Sequence, residues 1–263
     1  MGSGDTDTFV QRLNDLAGGK ARFLNFGVPG YSTDQEVLLI EREVFSFRPS
    51  NILLVVYLGN DLIDNEGPFP LAAVVGKPYF ELGDAGLILR NSPVRDELKP
   101  AGERTLGLYQ RIFGPDAKPT PRLPGCLGKS ALLERLGFEP AAPDDLPRRF
   151  EERFAPTLEL FAALVDRAQR EAEQHQVALS LVLVAGSSFV ESPNSISARY
   201  QDHLRRGILD RRAALGVEVI DLAAAMRARF DRDGTRLFNP HEQHLSVQGN
   251  DFAARFLWDH LSE

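Results

Sequence analysis

Between Asn51 and Leu58 the chain reads Ile-Leu-Leu-Val-Val-Tyr, apolar at nearly every position. A strand with one wet face would alternate, because successive side chains point to opposite sides. A run without alternation suits a parallel strand covered on both faces. Such a strand constrains everything around it, since parallel neighbours are joined by crossovers that lay helices over the sheet. The rest of the chain supplies those parts. Residues 7–17 put Phe9, Val10, Leu13, Leu16 and Ala17 on one helical face, and Gly18-Gly19 can stop that helix. Ala21 to Phe26 reads as a short strand. Ser32 or Thr33 is placed to cap the next helix, with Gln35 or Glu36 closing a capping box. Further helices are expected at 150–175, 195–214, 222–230 and 246–261, and further strands at Val177–Ala185 and Val217–Leu222. Strands alternating with helices predict an α/β fold, a three-layer α/β/α sandwich around a parallel sheet.

Residues 62–150 interrupt this rhythm. Tyr79–Leu82 and Gly86–Leu89, split by Gly83-Asp84, predict a hairpin. Pro115, Pro119, Pro121 and Pro124 mark a loop. The region reads as an irregular insertion over one end of the sheet, within a single domain spanning residues 1–263. The net charge of −7 argues against nucleic acid as a partner, because phosphate binding needs clustered Lys and Arg. No apolar run is long enough for a transmembrane segment. The single cysteine, Cys126, permits no intrachain disulfide and reads as an idle thiol.

Three segments carry chemistry. Asn25-Phe26-Gly27-Val28-Pro29-Gly30-Tyr31-Ser32-Thr33 follows the first apolar run, and Leu58-Gly59-Asn60-Asp61 follows the second. Glu242-Gln243-His244 precedes the last helix. A glycine lets a substrate oxygen approach backbone N–H closely, and an asparagine amide can donate to the same oxygen. These segments resemble three of the four sequence blocks of the SGNH/GDSL serine hydrolases. The resemblance implies a flavodoxin-like parallel sheet and hydrolysis of carboxylic esters. It implies Gly30 and Asn60 as oxyanion-hole donors and His244 as the general base. Glu242, two residues before His244, then orients the imidazole in place of the commoner Asp. His241 and Asp61 are possible substrate contacts. The implied partner is a small-molecule, carbohydrate or lipid ester, with no cofactor.

Two other readings stand beside this one. A non-catalytic acyl or carbohydrate binder would keep the pocket without the serine. A metal-dependent hydrolase would use His241, His244 and Asp61, although the histidines stand three apart where the zinc helix motif needs four.

The family's first block is an apolar strand ending in Gly-Asp-Ser, and nothing before Asn25 has that form. Gly4-Asp5-Thr6 copies the letters without a preceding strand. Met1 to Phe9 instead resembles the continuation of that block, so the strand and its serine are expected upstream of Met1. In the strand order 2-1-3-4-5 this first strand lies between Ala21–Phe26 and Asn51–Leu58. Without it, both flanking strands are expected to face a gap, and the chain as given to be inactive or nearly so.

Overall fold

The computed structural model describes residues 7–71, 75–95, 110, 145–240 and 244–262. The fold is α/β. Among the described residues three parallel strands form its sheet: β1 (Asn51–Tyr57), β4 (Ala178–Val184) and β5 (Glu218–Ile220), in the order β1-β4-β5. The register runs from Asn51 opposite Ala178 to Tyr57 opposite Val184, and from Ser180 opposite Glu218 to Val182 opposite Ile220. The expected hairpin is present as β2 (Tyr79–Gly83) and β3 (Gly86–Arg90), antiparallel and separate from this sheet.

Helices form where apolar periodicity and stop signals place them. α1 (Phe9–Ala17) starts at Thr8, whose hydroxyl accepts the Gln11 N–H, and ends at Gly18 in the left-handed conformation. α2 (Thr33–Arg42) leads through a 3₁₀ turn (Val44–Phe47) to β1. α3 (Asp61–Asp64) is a single turn after β1. α4 (Leu146–Gln174) buries Phe150, Phe154, Leu158, Phe161, Val165, Ala168 and Ala172 along one stripe. α5 (Ser187–Glu191), α6 (Ile196–Leu215), α7 (Leu222–Asp233) and α8 (Val247–Leu261) complete the order.

On β4 every residue from Leu179 to Leu183 is buried, so both faces are covered, and α4 and α7 both pack against it. On β1 burial alternates: Ile52, Leu54 and Val56 are buried, whereas Leu53, Val55 and Tyr57 are half-buried. The double-faced burial expected of β1 is thus realised on β4. Among the described residues no strand pairs with the second edge of β1.

The strand expected over Ala21–Phe26 does not form. Its backbone goes elsewhere. Asn14 clamps Phe23 at both ends, its Nδ2 donating to the Phe23 carbonyl at 2.9 Å and its Oδ1 accepting the Phe23 N–H at 2.8 Å. Phe26 packs edge-on against Phe47, just ahead of β1. Ala21, Arg22, Leu24 and Asn25 are exposed. A strand requires a neighbour for its N–H and C=O groups, and the described residues supply none here.

The capping box also differs from expectation. The Ser32 hydroxyl makes no cap bond and donates to Asp34 Oδ1 at 2.9 Å. Asp34 itself accepts the Gln35 N–H at 2.7 Å. His203 packs against Phe150 and Phe154, and burial lowers its pKa.

Candidate active site

All three sheet strands point the same way, so the turns that follow them share one edge. The helices that follow two of the chemistry-bearing segments are tied together. β1 ends at Tyr57 and passes through Gly59 and Asn60 into α3. The start of α2 is tied to the end of α3 by a buried hydrogen bond, Asp34 N–H to Asn65 Oδ1, 3.0 Å. Gly30 stands three residues before α2.

The turn at Gly30 is legible in its residues. Tyr31 N–H returns to the Val28 carbonyl at 3.1 Å, closing a β-turn with Pro29 and Gly30 at its centre. Gly30 has φ +84°, a value that L side chains adopt only with strain. Proline followed by a positive-φ glycine is the signature of a type II turn. Gly30 is exposed, and no described residue accepts a hydrogen bond from its N–H.

Asn60 is half-buried at the N-terminus of α3. Its Nδ2 donates to Asp64 Oδ2 at 2.7 Å. An amide nitrogen carries two hydrogens, so that bond fixes the group and leaves a second N–H to donate. Asp64 is held in turn by the Leu71 N–H at 2.8 Å. Asp61 is buried, and its Oδ2 accepts the Tyr57 N–H at 2.6 Å. It braces the turn from beneath. Burial, followed by the Glu36 charge, pushes the Asp61 carboxyl well above the usual carboxylate range.

Beneath this edge lies a polar cluster that sequence reading did not find. Asp34 is fully buried and paired with Lys77, itself 4% exposed. Burial raises the Asp34 pKa against the opposing pull of Lys77, and burial lowers that of Lys77 against the opposing pull of Asp34. Glu36, one helical turn along from Thr33, is pushed up to about 8 by burial and then by Asp34. Its Oε2 is enclosed, with no hydrogen-bond partner among the described residues. The only available signal was a run of polar residues, Ser32-Thr33-Asp34-Gln35-Glu36, which local rules assign to capping.

His244 is exposed, ahead of α8. Two backbone hydrogen bonds join the described residues on either side of it. The His244 carbonyl accepts the Asn239 N–H, and the Ser246 N–H reaches the Leu237 carbonyl, both at 2.9 Å. Gly249 allows this, since a Cβ there would stand 2.0 Å from the Leu237 oxygen. Asn250 Oδ1 accepts the Phe9 N–H at 2.9 Å and so joins the first turns of α8 and α1. His241 and Glu242 lie outside the described residues, as do Cys126 and Gly4-Asp5-Thr6.

Among the described residues, no three His, Cys, Asp or Glu side chains are arranged to hold a metal ion, and no helix is long and apolar enough to cross a membrane. An open depression of about 480 Å³ lies beside the hairpin, lined by Phe69, Tyr79, Arg90, Asn91 and Arg95 among others. It belongs to the insertion and includes none of Gly30, Asn60 or His244. No protein-family model, no curated protein and no solved structure matches this chain.

Proposed function

We propose that this chain carries the oxyanion and acid–base parts of an SGNH-type hydrolase of carboxylic esters, acyl or O-acetyl. The observation that carries the reading is the tie between α2 and α3. Through Asp34 and Asn65 it holds the helix that follows the Gly30 turn beside the turn that presents the Asn60 amide. A free backbone N–H on a type II turn and a braced amide are the donors a tetrahedral oxyanion needs.

In the proposed reaction a serine hydroxyl attacks the ester carbonyl while His244 takes its proton. Gly30 N–H and Asn60 Nδ2 receive the oxygen as it becomes negative. The intermediate collapses, the C–O bond breaks, and His244 returns the proton to the leaving alkoxide. Water then releases the acid by the same route. Glu242 is proposed to orient the imidazole. The proposed serine lies outside the described residues. Ser32 is buried against Asp34, and Ser188 is bonded to Gln201 and Ser197.

The test is to assay p-nitrophenyl acetate hydrolysis by the full-length protein. Asn60→Ala is expected to lower kcat about 100- to 1,000-fold with KM nearly unchanged. Unchanged turnover in both Asn60→Ala and His244→Ala would remove the proposal.

A further inference from the structure

The direction in which β1 offers its backbone groups can be read at both of its ends. The Ser50 carbonyl accepts the Ala178 N–H at 3.2 Å, and the Leu58 N–H donates to the Val184 carbonyl at 2.8 Å. Both groups therefore face β4. A residue in a strand sends its N–H and C=O to one side, and the next residue sends them to the other. Ile52, Leu54 and Val56 thus bond to β4, in keeping with the register. Asn51, Leu53, Val55 and Tyr57 turn their backbone groups to the second edge.

Among the described residues one atom occupies that edge. Asp61 Oδ2 takes the Tyr57 N–H at 2.6 Å and so stands where the carbonyl of a neighbouring strand would stand. An added strand is stopped there. At the other end the next outward position is Pro49, which has no N–H to give. Asn51, Leu53 and Val55 are left open between these two stops, each with one donor and one acceptor. No charged side chain and no proline within β1 guards them.

We propose that the open edge of β1 pairs antiparallel with the same edge of a second copy of this chain, joining the two sheets into one. Leu53 faces Leu53 of the second copy across a two-fold axis, and Asn51 faces Val55 of the second copy. Facing residues of this kind exchange both of their hydrogen bonds. Every open donor and acceptor at the three positions is then used. The next pair outward sets Pro49 against Tyr57, and neither has an N–H to offer. A foreign extended peptide would meet both stops, whereas in self-pairing the two stops fall opposite each other. Other registers do worse. A shift one way sets Asn51 against Tyr57, where Asp61 stands, and a shift the other way sets Val55 against Pro49 and leaves the Val55 carbonyl unpaired. The contact is isologous, so it closes at a dimer. Phe47, in the turn that feeds β1, is 57% exposed. The antiparallel arrangement carries it toward the C-terminal end of the copy's strand. The pairing stands whether or not the chain hydrolyses esters.

The experiment uses the full chain. Sedimentation across a wide concentration range is expected to show a single monomer–dimer equilibrium. Amide hydrogen exchange, followed residue by residue, is expected to slow at least about tenfold at Asn51, Leu53 and Val55 as the dimer forms. Ile52, Leu54 and Val56, bonded to β4, and Tyr57, bonded to Asp61, are expected to exchange at the same rate at every concentration. Leu53→Lys and Leu53→Glu each set like charges against each other at the axis, and each is expected to be monomeric with an intact thermal transition. Mixed in equal amounts, the two variants are expected to restore the dimer, because only a residue that faces itself turns two repelling variants into an attracting pair. A monomer at every concentration would overturn the proposal. So would a dimer in which the Asn51, Leu53 and Val55 amides exchange as fast as in the monomer. Protection of those amides that persists on dilution would overturn it too, since another segment of the same chain would then hold the edge. These readouts need no variant to fold. A mixture of folded variants that stays monomeric would count against the facing of Leu53 with itself, and with it the proposal.

Discussion

β1 and β4 are the same length and nearly the same composition, yet they live in different surroundings. Asn-Ile-Leu-Leu-Val-Val-Tyr and Ala-Leu-Ser-Leu-Val-Leu-Val would be read alike by any local rule. β4 has a strand on each edge and helices on both faces, and five consecutive residues are buried. β1 has one strand neighbour among the described residues and only alternate positions are fully buried. Burial belongs to neighbours, and a sequence run shows only the capacity for it. Nor does β1 carry the usual protections of an edge, since it contains no charge and no proline.

The largest expected effect separates the two strands. Leu183→Lys places an ammonium where the side chain is fully buried and is expected to prevent folding, as judged by loss of a cooperative thermal transition. Leu53→Lys, on the half-buried side of β1, can carry its charge out to water. It is expected to fold and to reduce self-association, measured by light scattering. Equal damage from both would break the comparison.

Next in size is the buried Asp34–Lys77 pair beneath the β1 edge. Lys77→Met leaves the Asp34 carboxylate buried without its cation, which is expected to cost about 3–5 kcal/mol in denaturant unfolding near neutral pH. The loss should shrink in acid, where Asp34 can take a proton. A loss that does not vary with pH would show that the pair matters through packing alone.

The smallest effect concerns the turn. Gly30→Ala meets no atom within 4 Å, so the cost is that of its positive φ alone, about 1–2 kcal/mol. A neutral substitution would mean that the turn relaxes freely and does not hold a donor in place.

Most of the fold was legible because helices announce themselves locally. Apolar spacing and the stops at Gly18 and Gly216 placed α1 and α6 to within about two residues. The Ala21–Phe26 segment was not legible, because its outcome depends on what lies beside it. Asn14 captured the Phe23 backbone, and no periodicity in the segment reports that contact. Of the site, the Pro29-Gly30 turn and the Asn60 position could be read from residue type. The Asp34–Lys77 pair could not. Asp34 and Lys77 are 43 residues apart, and Lys77 sits in a stretch that reads as a featureless loop. Only the fold brings them together.

The most direct test of the ester-hydrolase reading is labelling of the full-length protein by a serine-directed fluorophosphonate. The account predicts one adduct per chain, on a serine other than Ser32, Ser187 or Ser188, with labelling abolished in His244→Ala. No adduct, or an adduct at Ser187 or Ser188 that survives His244→Ala, would contradict it.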